Sequence, residues 1–229
     1  MVNLRIRFAK TGFLQYIGHL DIMRTFQKIF RRAGIPLCFS QGYNPHPLMS
    51  FASPLGVGLT SEGEYLDLVV EEITSSDDYM RRINDACPEG LRILSCRLLP
   101  EGSKNAMSII GMADYMVSFF DEQTNYEEIS ARLAQFLSAE SILVRKKTKK
   151  QVLEMDLRPL IHEARLTPDG FYLKLSAGSV TNLKPEFVFE SMFEQQGCPF
   201  RAEQLRIHRM NIYTSEGVSL EAMGEDVPA

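Results

Sequence analysis

Apolar and polar residues alternate from the start of the chain. Over residues 3–9, NLRIRFA, Leu4, Ile6 and Phe8 are separated by Arg5 and Arg7, a period of two that predicts a strand with one buried face. A loop follows from Thr11 to Gly18. Over 19–33 the period lengthens. Ile22, Phe26, Ile29, Phe30 and Ala33 recur at spacings of three and four, the pattern of a helix with one apolar face, and Gly34 stands where a C′ glycine ends it. Ile35 to Phe39 reads as a second strand. Residues 40–58, SQGYNPHPLMSFASPLGVG, hold too many glycines and prolines for a regular element. A strand at 64–70, a helix at 75–86 and a strand at 91–98 complete the order β-α-β-β-α-β.

The order then repeats, with a strand at 115–120, a helix at 126–137, strands at 142–145 and 170–176, a helix from Pro185 to Gln195 and a strand at 205–213. GEYLDL from Gly63 and GFYLKLS from Gly170 match as the third strands of the two halves. The expected fold is therefore α+β, with two tandem ferredoxin-like units. The first spans 1–99 and carries the proline-rich loop 40–58. The second spans 108–213 and carries a basic insert at 145–169. PEGSKNAM, 100–107, is the expected linker. Residues 214–229 hold Glu216, Glu221, Glu225 and Asp226 with little to bury, and are expected to be a disordered acidic tail.

Composition narrows the function classes. With 45% hydrophobic residues, 24% charged residues and a net charge of −4 over 229 residues, usage is ordinary for a globular protein, and no global charge announces a polyanion or a membrane. Cys38, Cys87, Cys96 and Cys198 form no CxxC pair, which fits free thiols in a reducing compartment. The N-terminal residues lack an apolar h-region and no run nears the ~20 residues that span a bilayer, so a cytoplasmic protein without a membrane partner is expected. No GxxxxGK[ST] loop, no GxGxxG after a strand and no His, Cys and carboxylate set with metal-ligand spacing occurs. No metal and no cofactor is expected.

Charge becomes informative locally. Arg24, Lys28, Arg31 and Arg32 form a second stripe on the first helix. With Arg5, Arg7 and Lys10, residues 1–50 hold seven cations against one anion, Asp21. A cationic helix face can track phosphates; a solvated face is the alternative. The run RKKTKK places Arg145, Lys146, Lys147, Lys149 and Lys150 within six residues, a self-repelling cluster that an anion would relieve. The loop offers Gln41, Tyr43, Asn44 and His46 on a backbone stiffened by Pro45, Pro47 and Pro54. Tyr43 and Phe51 could stack on an exposed base, or both could plug the core. His19 opens the first helix, and with His46 it is a candidate acid–base pair; a capping or core role for His19 is the alternative.

Three segments carry a resemblance: LRIRFAKTGFLQYIGHLDIMRTFQKIFRRAGIPL, SQGYNPHPLMSFASPLGVGLTSEGEYLDL and LSAGSVTNLKPE. Together they resemble the uncharacterised radical-SAM-linked family, over about residues 2–213. Its members are fused to, or encoded beside, B12-binding radical SAM proteins, with genes for an E/G-type ribonuclease and ribosomal proteins nearby. GHLDIMRTFQKIFRRAGIPL also resembles the opening helix of the CRISPR repeat-associated RNA-processing proteins, although their glycine-rich loop near the C-terminus has no clear match. The CxxxCxxC run of radical SAM enzymes is absent, so the first resemblance implies a partner of such an enzyme. The favoured reading is a non-catalytic RNA-binding partner that presents tRNA or ribosomal RNA to a radical SAM protein for modification. The alternatives are a metal-independent endoribonuclease using His19 and His46, and a protein–protein adaptor that docks a radical SAM protein.

Overall fold

The computed structural model of the chain describes residues 1–147 and 152–229. It is an α+β protein whose contacts divide it into two compact units: Met1–Met112 with Arg209–Ala229, and Ala113–His208.

In the first unit, β1 (Val2–Lys10) leads to α1 (His19–Arg32), β2 (Met49–Phe51) to β3 (Thr60–Val70), and α2 (Ser76–Ala86) to β4 (Leu91–Leu98). The order is β4-β1-β3, with β2 beside β3, and the β1–β3, β1–β4 and β2–β3 pairings are antiparallel. α1 ends as the sequence predicts: Arg31 and Arg32 sit in its last turn, and Gly34 has φ +63°. Ser75 caps α2 by accepting from the Asp78 backbone N–H. The expected strand at 35–39 is not formed. That segment makes only single bridges, Leu37 to Val70 and Phe39 to Pro47. Pro36 has no N–H to donate, and β2, inside the segment read as irregular, takes the place alongside Leu66–Leu68.

Alternation decides what each face of this sheet meets. Leu4, Ile6, Phe8, Leu66, Leu68 and Ile93 are buried against Ile22, Phe26, Ile29 and Phe30 of α1 and Tyr79 and Ile83 of α2. The opposite face carries Arg5, Asp67, Tyr65 and Ser95, and these are buried too. They are covered by segments read as linker and tail. Arg5 faces Asp67 in register and donates to it twice, at 2.7 and 3.0 Å. The same guanidinium donates to the carbonyls of Lys104 and Leu220, both at 3.3 Å.

Residues 100–107 therefore pack onto the first unit, where α3 (Ala106–Ile109) begins with its N–H on Asp67 at 2.8 Å. The division between the units falls later, after Met112. Nor is the tail disordered. Leu220 is buried, Glu221 pairs with Arg7 at 2.8 Å, Asp226 pairs with Arg97, and Ser76 N–H donates to the Val227 carbonyl at 3.0 Å. Its acids complement cations that sequence distance had concealed.

The second unit contains most of β5 (Ile110–Phe119), then α4 (Tyr126–Leu137), β6 (Leu143–Lys147), β7 (Val152–Asp156), β8 (Ile161–Thr167), β9 (Gly170–Ser176), α5 (Pro185–Gln195) and the start of β10 (Leu205–Thr214). Its strands lie in the order β10-β5-β9-β8. Phe171, Leu173 and Leu175 alternate into a core with Val188, Phe189 and Met192 of α5. Tyr126 and Phe171 stack at 5.8 Å and Phe193 and Phe200 at 4.8 Å. The strand read at 142–145 lies outside this sheet. It is β6, which pairs with β7 in a separate hairpin. β8 takes the sheet position, within what was read as the basic insert. As an edge strand it buries only Ile161, so it shows no period of two.

The two matched glycines have a shared cause. A Cβ on Gly63 would lie 2.3 Å from the Met210 carbonyl oxygen, and one on Gly170 would lie 2.4 Å from that of Val117. Neither neighbouring backbone leaves room for a side chain.

Candidate nucleic-acid interface

The helical period that buries Ile22, Phe26 and Ile29 turns Arg24, Lys28 and Arg31 to another side of α1. There they line an open cleft of about 800 Å³ whose other side includes Pro36, Leu37, Phe39 and Pro47. Arg24 pairs with Asp21 at 3.3 Å, both side chains being about two-thirds exposed, an arrangement worth little in water. Among the described residues, Lys28 and Arg31 have no carboxylate within ion-pair distance. Arg32, the fourth member of the stripe, turns away. Its Nη2 donates to the Ala86 carbonyl at 3.0 Å, at the C-terminal end of α2, where a cation is favoured.

Phe39 is 51% exposed, so the cleft joins a cationic side to an aromatic one. Sequence reasoning gave Phe39 to a strand and missed this. No periodicity marks it.

The proline-rich loop is a closed device. Leu48 N–H donates to the Cys38 carbonyl at 2.8 Å, and Ser40 N–H to the His46 carbonyl at 2.9 Å. Ser40 Oγ accepts from His46 N–H at 3.1 Å and lies 2.9 Å from His46 Nδ1. Gln41, Tyr43, Asn44 and His46 are all exposed at its tip, and Gly42, at φ +120°, supplies a conformation that a side chain would resist. Phe51 does not belong with them. It is 7% exposed and packs edge-on against Phe8 and Phe26 at 6.0 and 5.6 Å. Its pairing with Leu66 in β2 puts it on the core face.

His19 and His46 have different surroundings. His19 meets Phe51 edge-on at 5.0 Å and lines a small space of about 10 Å³ with Lys10 and Glu64. His46 lines another pocket. The charged groups near His19 are committed. Glu64 receives two bonds from Arg209, at 2.7 and 2.6 Å. Lys10 Nζ donates to the Ile17 carbonyl at 3.0 Å, and burial pulls its pKa down, against the attraction of Glu64. This buried group was not foreseen, because Arg209 lies 145 residues from Glu64.

Of the basic run, β6 takes in Arg145, Lys146 and Lys147. Arg145 is exposed and opposite Glu154 in register. Lys149 and Lys150 lie outside the described residues. Among the described residues, no group of three His, Cys, Asp or Glu is placed to hold a metal ion, and no helix is long and apolar enough to cross a membrane. Burial pushes the thiols of Cys87 and Cys96 up to about 11 and about 12, which leaves both protonated and unreactive at neutral pH.

Fold and cleft thus define an α+β protein with a cationic, aromatic-edged groove. Over residues 3–185 the chain matches the family described as "Uncharacterized protein conserved in bacteria (DUF2344)", and it belongs to that family. The match takes in α1, the loop and every residue named in the cleft. No curated protein matches the chain.

Proposed function

We propose that the chain binds RNA in the cleft along α1. The observation that carries this reading is the alignment of Arg24, Lys28 and Arg31 opposite the exposed Phe39 and the half-buried Pro47. Cations in line neutralise successive phosphates and release counterions. Exposed aromatics such as Phe39 and Tyr43 offer faces on which bases stack. Phosphate contacts position a strand and base contacts specify it, so the helix is assigned the first task and the loop tip the second. The run from Arg145 to Lys150 is a further phosphate-contacting segment in this proposal. Following the family resemblance, the RNA is tRNA or ribosomal RNA, held for modification by a radical SAM partner. A protein contact is favoured by one separate observation: Phe13, Tyr16 and Leu20 are 88%, 65% and 61% exposed, large apolar surfaces that a partner would cover.

The test is fluorescence anisotropy with labelled tRNA and ribosomal RNA fragments across a salt series. Lys28→Gln with Arg31→Gln should weaken binding to all RNAs and lower the log–log salt slope by about 1.4–1.8, two contacts at 0.7–0.9 each. Wild type without salt-sensitive binding at ~50 mM salt, or an unchanged slope in the double variant, would sink the proposal.

A further inference from the structure

The loop has a cleft on each side, and Pro47 lines both. The second cleft, of about 410 Å³, is within the size range of small-molecule sites. Leu48, Met49 and Leu99 give it apolar surface, while Asn3, Ser50 and Asn105 bring polar groups to it. Asn105 Oδ1 accepts from Met107 N–H at 2.9 Å, and Nδ2 donates one hydrogen to Ser50 Oγ at 2.5 Å. Among the described residues, the second Nδ2 hydrogen meets no acceptor. Asn3 is exposed, and its amide carries both a donor and an acceptor. Among the described residues the carboxylate lining it is Asp67, which is neutralised by Arg5 and accepts from Ala106 N–H, so it does not repel a phosphate nearby. His46 also lines this pocket, its ring tied to Ser40 at Nδ1.

Amide groups above apolar surface suit the edge and the face of an unpaired base, the features by which single-stranded RNA is read. We infer that this pocket is a nucleobase subsite. A single strand whose phosphates follow Arg24, Lys28 and Arg31 turns one base past Pro47 onto Leu48 and Met49, with Asn3 and Asn105 at its edge. This inference rests on the RNA reading of the α1 cleft and deepens it, naming single-stranded RNA as the class and the pocket as the reader of one base.

Methyl NMR of the full chain, titrated with a short single-stranded RNA and with the same RNA made abasic at each position in turn, tests it. The intact strand should move the methyls of Leu48, Met49 and Leu99 together with those of Ile35 and Leu37 in the α1 cleft. One abasic position should lower affinity roughly 5- to 150-fold, the equivalent of one lost stacked base, and abolish the shifts at Leu48 and Met49 alone. Asn3→Ala, at an exposed position, and Asn105→Ala should each weaken binding of the intact strand but not of that abasic one. Shifts confined to Ile35 and Leu37, with affinity indifferent to every abasic position, overturn the subsite and leave the RNA reading standing. Absence of any salt-sensitive RNA binding overturns both.

Discussion

Replacing Arg5 tests the polar face of the first unit. Arg5 is 1% exposed, and it joins three segments: β3 through Asp67, the 104–106 turn through the Lys104 carbonyl, and the C-terminal segment through Leu220. Arg5→Met keeps an unbranched apolar stem and removes the charge. Among the described residues, the buried Asp67 then keeps the Ala106 N–H as its hydrogen-bond donor. Stranding one member of a buried ion pair costs about 3–5 kcal/mol. The freed carbonyls of Lys104 and Leu220 place the expected loss in the upper half of that range. Against a total of about 5–15 kcal/mol for a typical protein, this is a large fraction. Arg5→Met with Asp67→Leu strands no charge. Its loss should fall short of the single variant's: the unpaired Ala106 N–H, about 1–3 kcal/mol, joins the freed carbonyls of Lys104 and Leu220, but no charge is buried without a partner. Urea unfolding followed by circular dichroism measures both values, and limited proteolysis reports whether residues 215–229 come loose in the single variant. A single-variant loss below ~1 kcal/mol with a protected tail, or a double variant worse than either single, would refute the reasoning.

The two loop aromatics should separate cleanly. Tyr43→Ala should leave stability within about 0.5 kcal/mol yet cost about 1–3 kcal/mol of RNA affinity, whereas Phe51→Ala should cost about 3–5 kcal/mol of stability; thermal melts and anisotropy would expose the reverse assignment. Hydrogen bonds from the Ile142 and Arg158 backbone N–H groups, at 2.7 and 2.9 Å, hold Asp156 below its usual value of 3.8. Because the folded value is depressed, the stability it contributes is fully present above the unfolded value and is lost as pH falls through the folded one. Amide shifts of Ile142 and Arg158 should titrate with a midpoint under 3.8, and a midpoint at or above it counts against the bonds. Gly63→Ala must displace the Met210 backbone and should cost more than ~2 kcal/mol; a neutral melting temperature would show that β10 moves aside freely.

Periodicity revealed most of the elements and few of their partners. α4 and α5 were read with their observed bounds because each has a strong start: Asn125 accepts from the Glu128 N–H, and Pro185 occupies the first turn. β8 was invisible because its register shifts between Ile161 and Glu163, which breaks the alternation, and Ile161 alone in it is fully buried. Arg5, Arg7 and Lys10 were counted with the free cations. Alternation tells which face a residue takes, but not that Asp67 lies 62 residues away or Glu221 lies 214 residues away. Once Arg5, Arg7, Lys10 and Arg32 are assigned to protein partners, the basic excess of the first fifty residues contracts to Arg24, Lys28 and Arg31 in the cleft.

That contraction strengthens the case for the cleft. A cation held by a buried carboxylate has little field left for a phosphate, whereas Lys28 and Arg31 face an open groove without such a partner among the described residues. The same distinction divides the loop. Phe51 and Tyr43 belong to one irregular stretch of sequence, but Phe51 pairs in β2 opposite Leu66 and is drawn into the core. Tyr43 follows the left-handed Gly42 at the tip of a loop whose hydrogen bonds close beneath it. Whether an aromatic is available for recognition is decided by backbone pairing, which composition does not encode. The cationic side of the groove was therefore legible from a 3.6-residue period. Its apolar side, Phe39 and Pro47, came into view only with the bridge between them.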